Sequence, residues 1–238
     1  MDYMISFVLK HSLLFVFLLG IVLCYVWAYT FREKLKLNGW QLLLFIVYTF
    51  IIGGLSAFLF ARFEQLVAPS HSPSNLRIYG PIYVMWAAYI LPCKLVHSEP
   101  RAFVDICTPG LIISLISIRI NCFYAGCCQG LMIPGANFRY PIRELELVFQ
   151  VIILVVFARR VLKSKSYNGT LYPLYMIWYG LIRFIYEFFR EPENLFFGRI
   201  HAPHVWSLIS IVAGIIAYVL LRQSAPEKNK AKNRSVNK

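Results

Sequence analysis

Seven stretches of this chain, at roughly 10–31, 40–61, 79–96, 102–124, 143–161, 170–190 and 204–222, each hold about the 20 mainly apolar residues that a helix needs to cross a bilayer. Hydrocarbon offers no water to unpaired peptide groups, so stretches of this kind fold as helices that satisfy their own backbone. The composition agrees: 59% of the 238 residues are hydrophobic and only 15% are charged, whereas a soluble domain carries roughly 25% charge. A water-soluble domain is therefore excluded. The expectation is an all-α, polytopic integral membrane protein of about seven transmembrane helices, with one membrane domain over 1–222 and a basic tail over 223–238. The first run, 12–31, has no small-residue cleavage site and reads as a membrane anchor. Pro81 and Pro92 interrupt the third stretch, and Pro109-Gly110 predicts a kink in the fourth.

The formal net charge is +13, and its placement carries topology. Arg32, Lys34 and Lys36, Lys94 and Arg101, Arg159, Arg160, Lys163 and Lys165, and the tail from Arg222 put 15 of the 24 basic residues on one side. The positive-inside tendency then gives an outward N-terminus and a cytoplasmic C-terminus. Positive charge distributed between apolar segments, with a tail that lacks aromatic residues, points to acidic lipid headgroups and to no nucleic acid.

Two cations break the pattern. Arg119 and Arg183 lie inside apolar stretches, where an arginine costs roughly 2.5–3.5 kcal/mol on insertion scales and usually carries function. Glu187 follows Arg183 by one helical turn, so the two charges share a face. Guanidinium forks bind phosphate oxygens bidentately, and Gly126 and Gly130 nearby allow close backbone approach. A ligand with a phosphate head and an apolar body suits such a site.

The cluster Cys122, Cys127, Cys128 has three readings: zinc, a disulfide, or small packing residues in a Gly-rich turn. The spacing lacks a C-x2-C pair and no histidine follows closely, so no metal is expected. A disulfide from Cys122 to Cys127 or Cys128 suits an oxidising face. His201 and His204 flank Pro203 before the last stretch, where a histidine can move protons near neutral pH. Glu144 and Glu146 begin the fifth stretch after Pro141, where acidic residues suit a helix N-terminus.

Four segments then align with one family. Arg119, Phe123 and Gly130 match the pattern Arg-x-Gly-Asn-Phe-x-Asn-x-Glu-x-x-Gly. Tyr179, Gly180, Arg183, Phe184, Glu187, Phe188 and Arg190 match Tyr-Gly-x-x-Arg-Phe-x-x-Glu-Phe-x-Arg. Tyr140-Pro141 and Glu146 follow His-Pro-x-Gln-x-Tyr-Glu, and His204 to Ser207 follows Gln-x-x-Ser. In this order and spacing, over about 102–210, the chain resembles a divergent prolipoprotein diacylglyceryl transferase. It departs where Cys122 replaces Asn, Cys127 replaces Glu, Tyr140 replaces His, and Tyr79-Gly80-Pro81 replaces a His-Gly-Gly.

The resemblance implies transfer of diacylglyceryl from phosphatidylglycerol to the lipobox cysteine of a prolipoprotein signal peptide, in the bacterial cytoplasmic (inner) membrane and without a cofactor. It implies catalytic roles for Arg119, Arg183 and Glu187, with Tyr79, His204 or Glu146 as candidate proton acceptors. Gly126, Gly130, Tyr140, Glu146 and Tyr179 are the further substrate-binding candidates. Two other readings stay open: a non-catalytic membrane lipid-binding or transport homologue, and a membrane thiol–disulfide protein using the three cysteines.

Overall fold

The computed structural model describes residues 2–69, 77–124, 128–164, 166–190, 195–196 and 200–236. Helix α1 (Asp2–Thr30) leads through a single turn, α2 (Arg32–Leu35), into α3 (Gly39–Val67). Helices α4 (Tyr79–Ala88), α5 (Ile90–Leu95) and α6 (Pro100–Tyr124) follow, then α7 (Ile142–Lys163) and α8 (Leu171–Glu187). A two-residue hairpin, β1 (Leu195–Phe196) with β2 (Ile200–His201), precedes the long α9 (Ala202–Val236). The main packings are α8 on α9, α1 on α6, and α3 on α4.

Among the described residues three helices are long and apolar enough to cross a bilayer: Gly39–Val67, Pro100–Phe123 and Ala202–Ser224. They differ in position. The most apolar stretch of α6 is 61% buried, against 28% for α3 and 22% for α9, so α6 is the bundle's axis and the other two its rim. The rim faces are greasy, with Leu44, Val47, Ile51 and Leu55 on α3 and Leu208, Val212 and Ile216 on α9 all exposed. Apolar residues all round a helix mark a membrane environment. The molecule is an all-α membrane protein.

The third apolar stretch is not one rod. It divides into α4 and α5, of 10 and 6 residues, around Tyr89. Pro92 has no N–H to donate to Ala88, one turn back. The freed Ala88 carbonyl is taken by the Tyr48 hydroxyl of α3 at 3.0 Å, so the break is satisfied from a neighbouring helix. By contrast α6 continues as one helix through Pro109. The Gly110 carbonyl beside it accepts the Cys24 thiol of α1 at 3.2 Å.

Two contacts set the depth of the site. The carboxylate of buried Asp105 on α6 accepts the backbone N–H groups of Gly169 and Leu171, both at 2.8 Å. It caps the first turn of α8, whose own N-cap Thr170 makes no side-chain cap bond. With α6 and α8 pinned there, Arg119 lies about 21 Å along α6 from Asp105, and Arg183 about 18 Å along α8 from Leu171. The two arginines thus reach one level. At the Asp105 end, Lys34 Nζ donates to the Tyr167 hydroxyl at 2.8 Å and Lys36 Nζ to the His97 carbonyl at 2.9 Å. The α1–α3, α5–α6 and α7–α8 connections, which hold the clustered basic residues, therefore meet on one face.

Candidate active site

Glu146, one turn into α7, is the centre of the charged group. Its Oε1 accepts Arg119 Nη2, and its Oε2 accepts Arg183 Nη1 at 3.3 Å. Arg183 Nη2 reaches Glu187 Oε2 at 3.2 Å, the one-turn pair that helical spacing predicts. All four side chains are buried, with residue exposures of 5% for Arg119, 7% for Arg183 and 2% for each glutamate. Removing such charges from water is costly unless each is paired and hydrogen-bonded, and Glu146 pairs both cations at once. One turn further along α7, Gln150 accepts the Tyr175 hydroxyl at 3.1 Å, which extends the polar seam between α7 and α8.

The arginines face a cavity of about 740 Å³. Arg119, Arg183, Tyr79, Tyr179, Cys122 and Cys128 all line it, so six of the residues singled out in the sequence meet there. Arg119 keeps one buried donor, Nε, with no protein partner among the described residues. Buried donors in native proteins are nearly always satisfied, and an exception calls for a ligand or water. Glu146 and Glu187 stand behind the arginines rather than on the cavity wall.

Tyr79 is fixed from three sides. Its hydroxyl donates to the Pro203 carbonyl at 3.1 Å and lies 2.7 Å from Ser207 Oγ, and its ring meets that of Tyr179 edge-on with centroids 5.9 Å apart. Gly80 makes this placement available, because a Cβ there would lie 2.1 Å from the Ser56 carbonyl of α3. His204, although only one turn from Ser207, does not line the cavity. Its ring sits 4.9 Å from Phe184, 4.5 Å from Phe188 and 5.4 Å from His201, centroid to centroid.

Gly130 and Tyr140 work one layer away. Gly130 forms a bridge with Arg190, and a Cβ on it would meet the Tyr140 carbonyl at 2.3 Å. The Tyr140 ring packs on Phe189 at 5.3 Å. Both residues therefore hold the connection before α7 against the end of α8. Gly126 and Cys127 lie outside the described residues.

Two features of the wall were given no role by the sequence reading. Arg190 is buried and lines the cavity as a further guanidinium beside Arg77, Arg119 and Arg183; its place in the matched motif was the available signal, since α8 ends at Glu187 and no helical spacing carries on to it. Glu64 of α3 pairs with Arg77 and accepts Trp206 Nε1 of α9 at 2.7 Å. Glu64 and Arg77 line the cavity as well, and nothing local in the sequence links the three members of this group. Together the site offers several guanidinium donors around a mainly apolar hollow, the chemistry of an anionic headgroup with a hydrocarbon body.

Comparison with known proteins agrees with that chemistry. The family model for prolipoprotein diacylglyceryl transferase matches residues 10–220. A phosphatidylglycerol–prolipoprotein diacylglyceryl transferase of Ehrlichia ruminantium (strain Welgevonden) is 35% identical over 169 residues, covering 63% of this chain and 65% of the relative. Proteins of the same name from Campylobacter curvus and Clostridium tetani are 26% and 24% identical. They align over 74% and 71% of this chain and over 71% and 74% of their own lengths. The chain thus spans just under two thirds of the length of the Ehrlichia relative. It belongs to the prolipoprotein diacylglyceryl transferase family.

Proposed function

We propose that the protein transfers the diacylglyceryl group of phosphatidylglycerol to the thiol of a lipobox cysteine in a prolipoprotein signal peptide. The thiol sulfur forms a bond to the glycerol carbon that carries the phosphate, the C–O bond to phosphate breaks, and glycerol phosphate leaves. The thiol proton passes to a base. Arg119 and Arg183 bind the phosphate and stabilise the charge that gathers on the departing group. Arg119 Nε is the donor left over for a phosphate oxygen. Glu146 and Glu187 hold the two guanidinium forks in place, and Tyr179 and Tyr79 flank them on the cavity wall. Tyr79, at the position of the family's histidine, touches the cavity, and its protonated hydroxyl, between Ser207 and the Pro203 carbonyl, can relay the thiol proton onward but not hold it.

The observation that carries this reading is the pair of arginines, bridged by one glutamate, at the head of an apolar cavity in a chain of this family. The protein works as a multi-pass protein of about seven spans in the bacterial cytoplasmic membrane, and the basic connections gathered near Asp105 lie on the cytoplasmic side. Glycerol phosphate release, measured from purified protein, phosphatidylglycerol and a lipobox peptide, tests the proposal. A stoichiometric match between released glycerol phosphate and lipidated peptide supports it.

A second reading has its own observation. Tyr79 and Cys122 line the cavity where the family carries His and Asn, a change in the wall itself that suits a lipid-binding homologue without turnover. Tight phosphatidylglycerol binding with no glycerol phosphate released favours that reading over transfer.

A further inference from the structure

The cavity does not stop at the arginines. Away from them it continues between α1, α3, α4 and α6 as an apolar channel, and its far end is walled by Trp27, Leu35 and Ile106. Leu35 and Ile106 are fully buried. Trp27 is locked across that end, because its Nε1 donates to the Ile106 carbonyl at 2.8 Å. Protein interiors pack as densely as organic crystals, with few voids larger than a water. A hollow of about 740 Å³ walled by apolar side chains is therefore space kept for an occupant.

The channel also has a defined depth. Ile106 and Arg119 both lie on its wall and both belong to α6, so the end stands about 20 Å from the headgroup arginine at the helical rise. One leaflet of hydrocarbon is only about 15 Å thick. An extended chain advances about 1.2 Å per bond, so the channel accepts a straight acyl chain of about 16 to 18 carbons and no more. We propose that this channel is a ruler: Trp27, Leu35 and Ile106 set the longest acyl chain that a phosphatidylglycerol can carry while its phosphate engages Arg119 and Arg183. The inference rests on the transferase reading for its headgroup but concerns the tail alone.

Gly110 gives the test its handle. It lines the channel between Ile106 and Arg119, and a Cβ there would meet only Trp27, at an ordinary 3.8 Å. A larger side chain at this point grows into the hollow rather than into a neighbour, and replacing glycine inside a helix favours the helix. Gly110→Leu moves the effective floor about 6 Å towards the arginines, which corresponds to about five carbons.

Phosphatidylglycerols with two 12-, 16-, 18- or 22-carbon chains are offered to the purified protein as an equimolar mixture. Retained lipid is read by native mass spectrometry and peptide-linked lipid by fragment mass. The expected wild-type result is at least tenfold discrimination against 22 carbons. Gly110→Leu is expected to lose at least tenfold on 16 and 18 carbons while keeping the 12-carbon lipid. Cys24→Leu, at the same level on α1, serves as the second variant. Equal use of all four lipids by the wild type, or a uniform fall across lengths in both variants, overturns the ruler. Length-selective retention with no transfer at any length upholds the ruler and removes the transferase reading instead.

Discussion

Glu146 holds Arg183 at 3.3 Å with one carboxylate oxygen while the other oxygen accepts Arg119. One anion on α7 therefore sets the distance between two cations on α6 and α8. Preorganised charge of this kind acts on a transition state without having to reorganise. Glu146→Gln keeps the shape but removes the anion, so the two guanidinium groups repel and separate. The expected loss is about 100- to 1000-fold in kcat for lipid transfer, measured with the protein still folded. A variant within threefold of wild type contradicts this role.

Asp105 is expected to act on the same site from a distance. Its two backbone contacts cap α8, and losing a cap costs about 1–2 kcal/mol. Asp105→Ala should lower the denaturant midpoint in detergent and reduce transfer, because α8 loses the stop that levels Arg183 with Arg119. Asp105→Asn, which can still accept one of the two bonds, should fall between. Full activity in a destabilised Asp105→Ala would show that the cap is structural alone.

Arg190 offers a further fork on the cavity wall. Arg190→Lys keeps charge but loses bidentate geometry, so its KM for phosphatidylglycerol should rise about tenfold with a smaller effect on the peptide. Equal KM shifts for lipid and peptide would place Arg190 outside headgroup binding. Separate KM determinations for the two substrates decide it.

Tyr79 and His204 separate on geometry. The Tyr79 hydroxyl is on the cavity wall beside Ser207, while the His204 ring is packed among Phe184, Phe188 and His201. Losing a group that moves a proton in the transition state costs about 100- to 10,000-fold. Tyr79→Phe should therefore lower kcat by at least tenfold, and His204→Asn by less than threefold. The reverse order, read from initial rates, moves the proton route to the histidine.

The sequence showed what local pattern can show. Uncharged length made α3, α6 and α9 legible, and a one-turn spacing announced the Arg183–Glu187 pair. Pro92 marked the weakness of the third stretch, but its repair by Tyr48 joins residues 40 apart. The decisive contacts are remote too: Glu146 meets Arg119 across 27 positions and Arg183 across 37, and Asp105 meets Leu171 across 66. No helical period encodes such pairs. Glu146 read as a helix-start acid and a candidate to accept a proton or bind substrate, and only packing of α6, α7 and α8 turned it into the bridge. Arg190 stood in the matched motif without a place, because α8 ends before it and the chain direction there is not periodic.

The central claim is that Arg119 and Arg183 jointly bind the phosphate from which diacylglyceryl departs. Transfer of labelled phosphatidylglycerol to a lipobox peptide, compared between wild type and Arg183→Ala in reconstituted membranes, tests it most directly. The account predicts peptide-linked label with wild type and at least a 100-fold loss in the variant, in the range expected for removal of a charge-stabilising donor. Undiminished transfer by Arg183→Ala contradicts it.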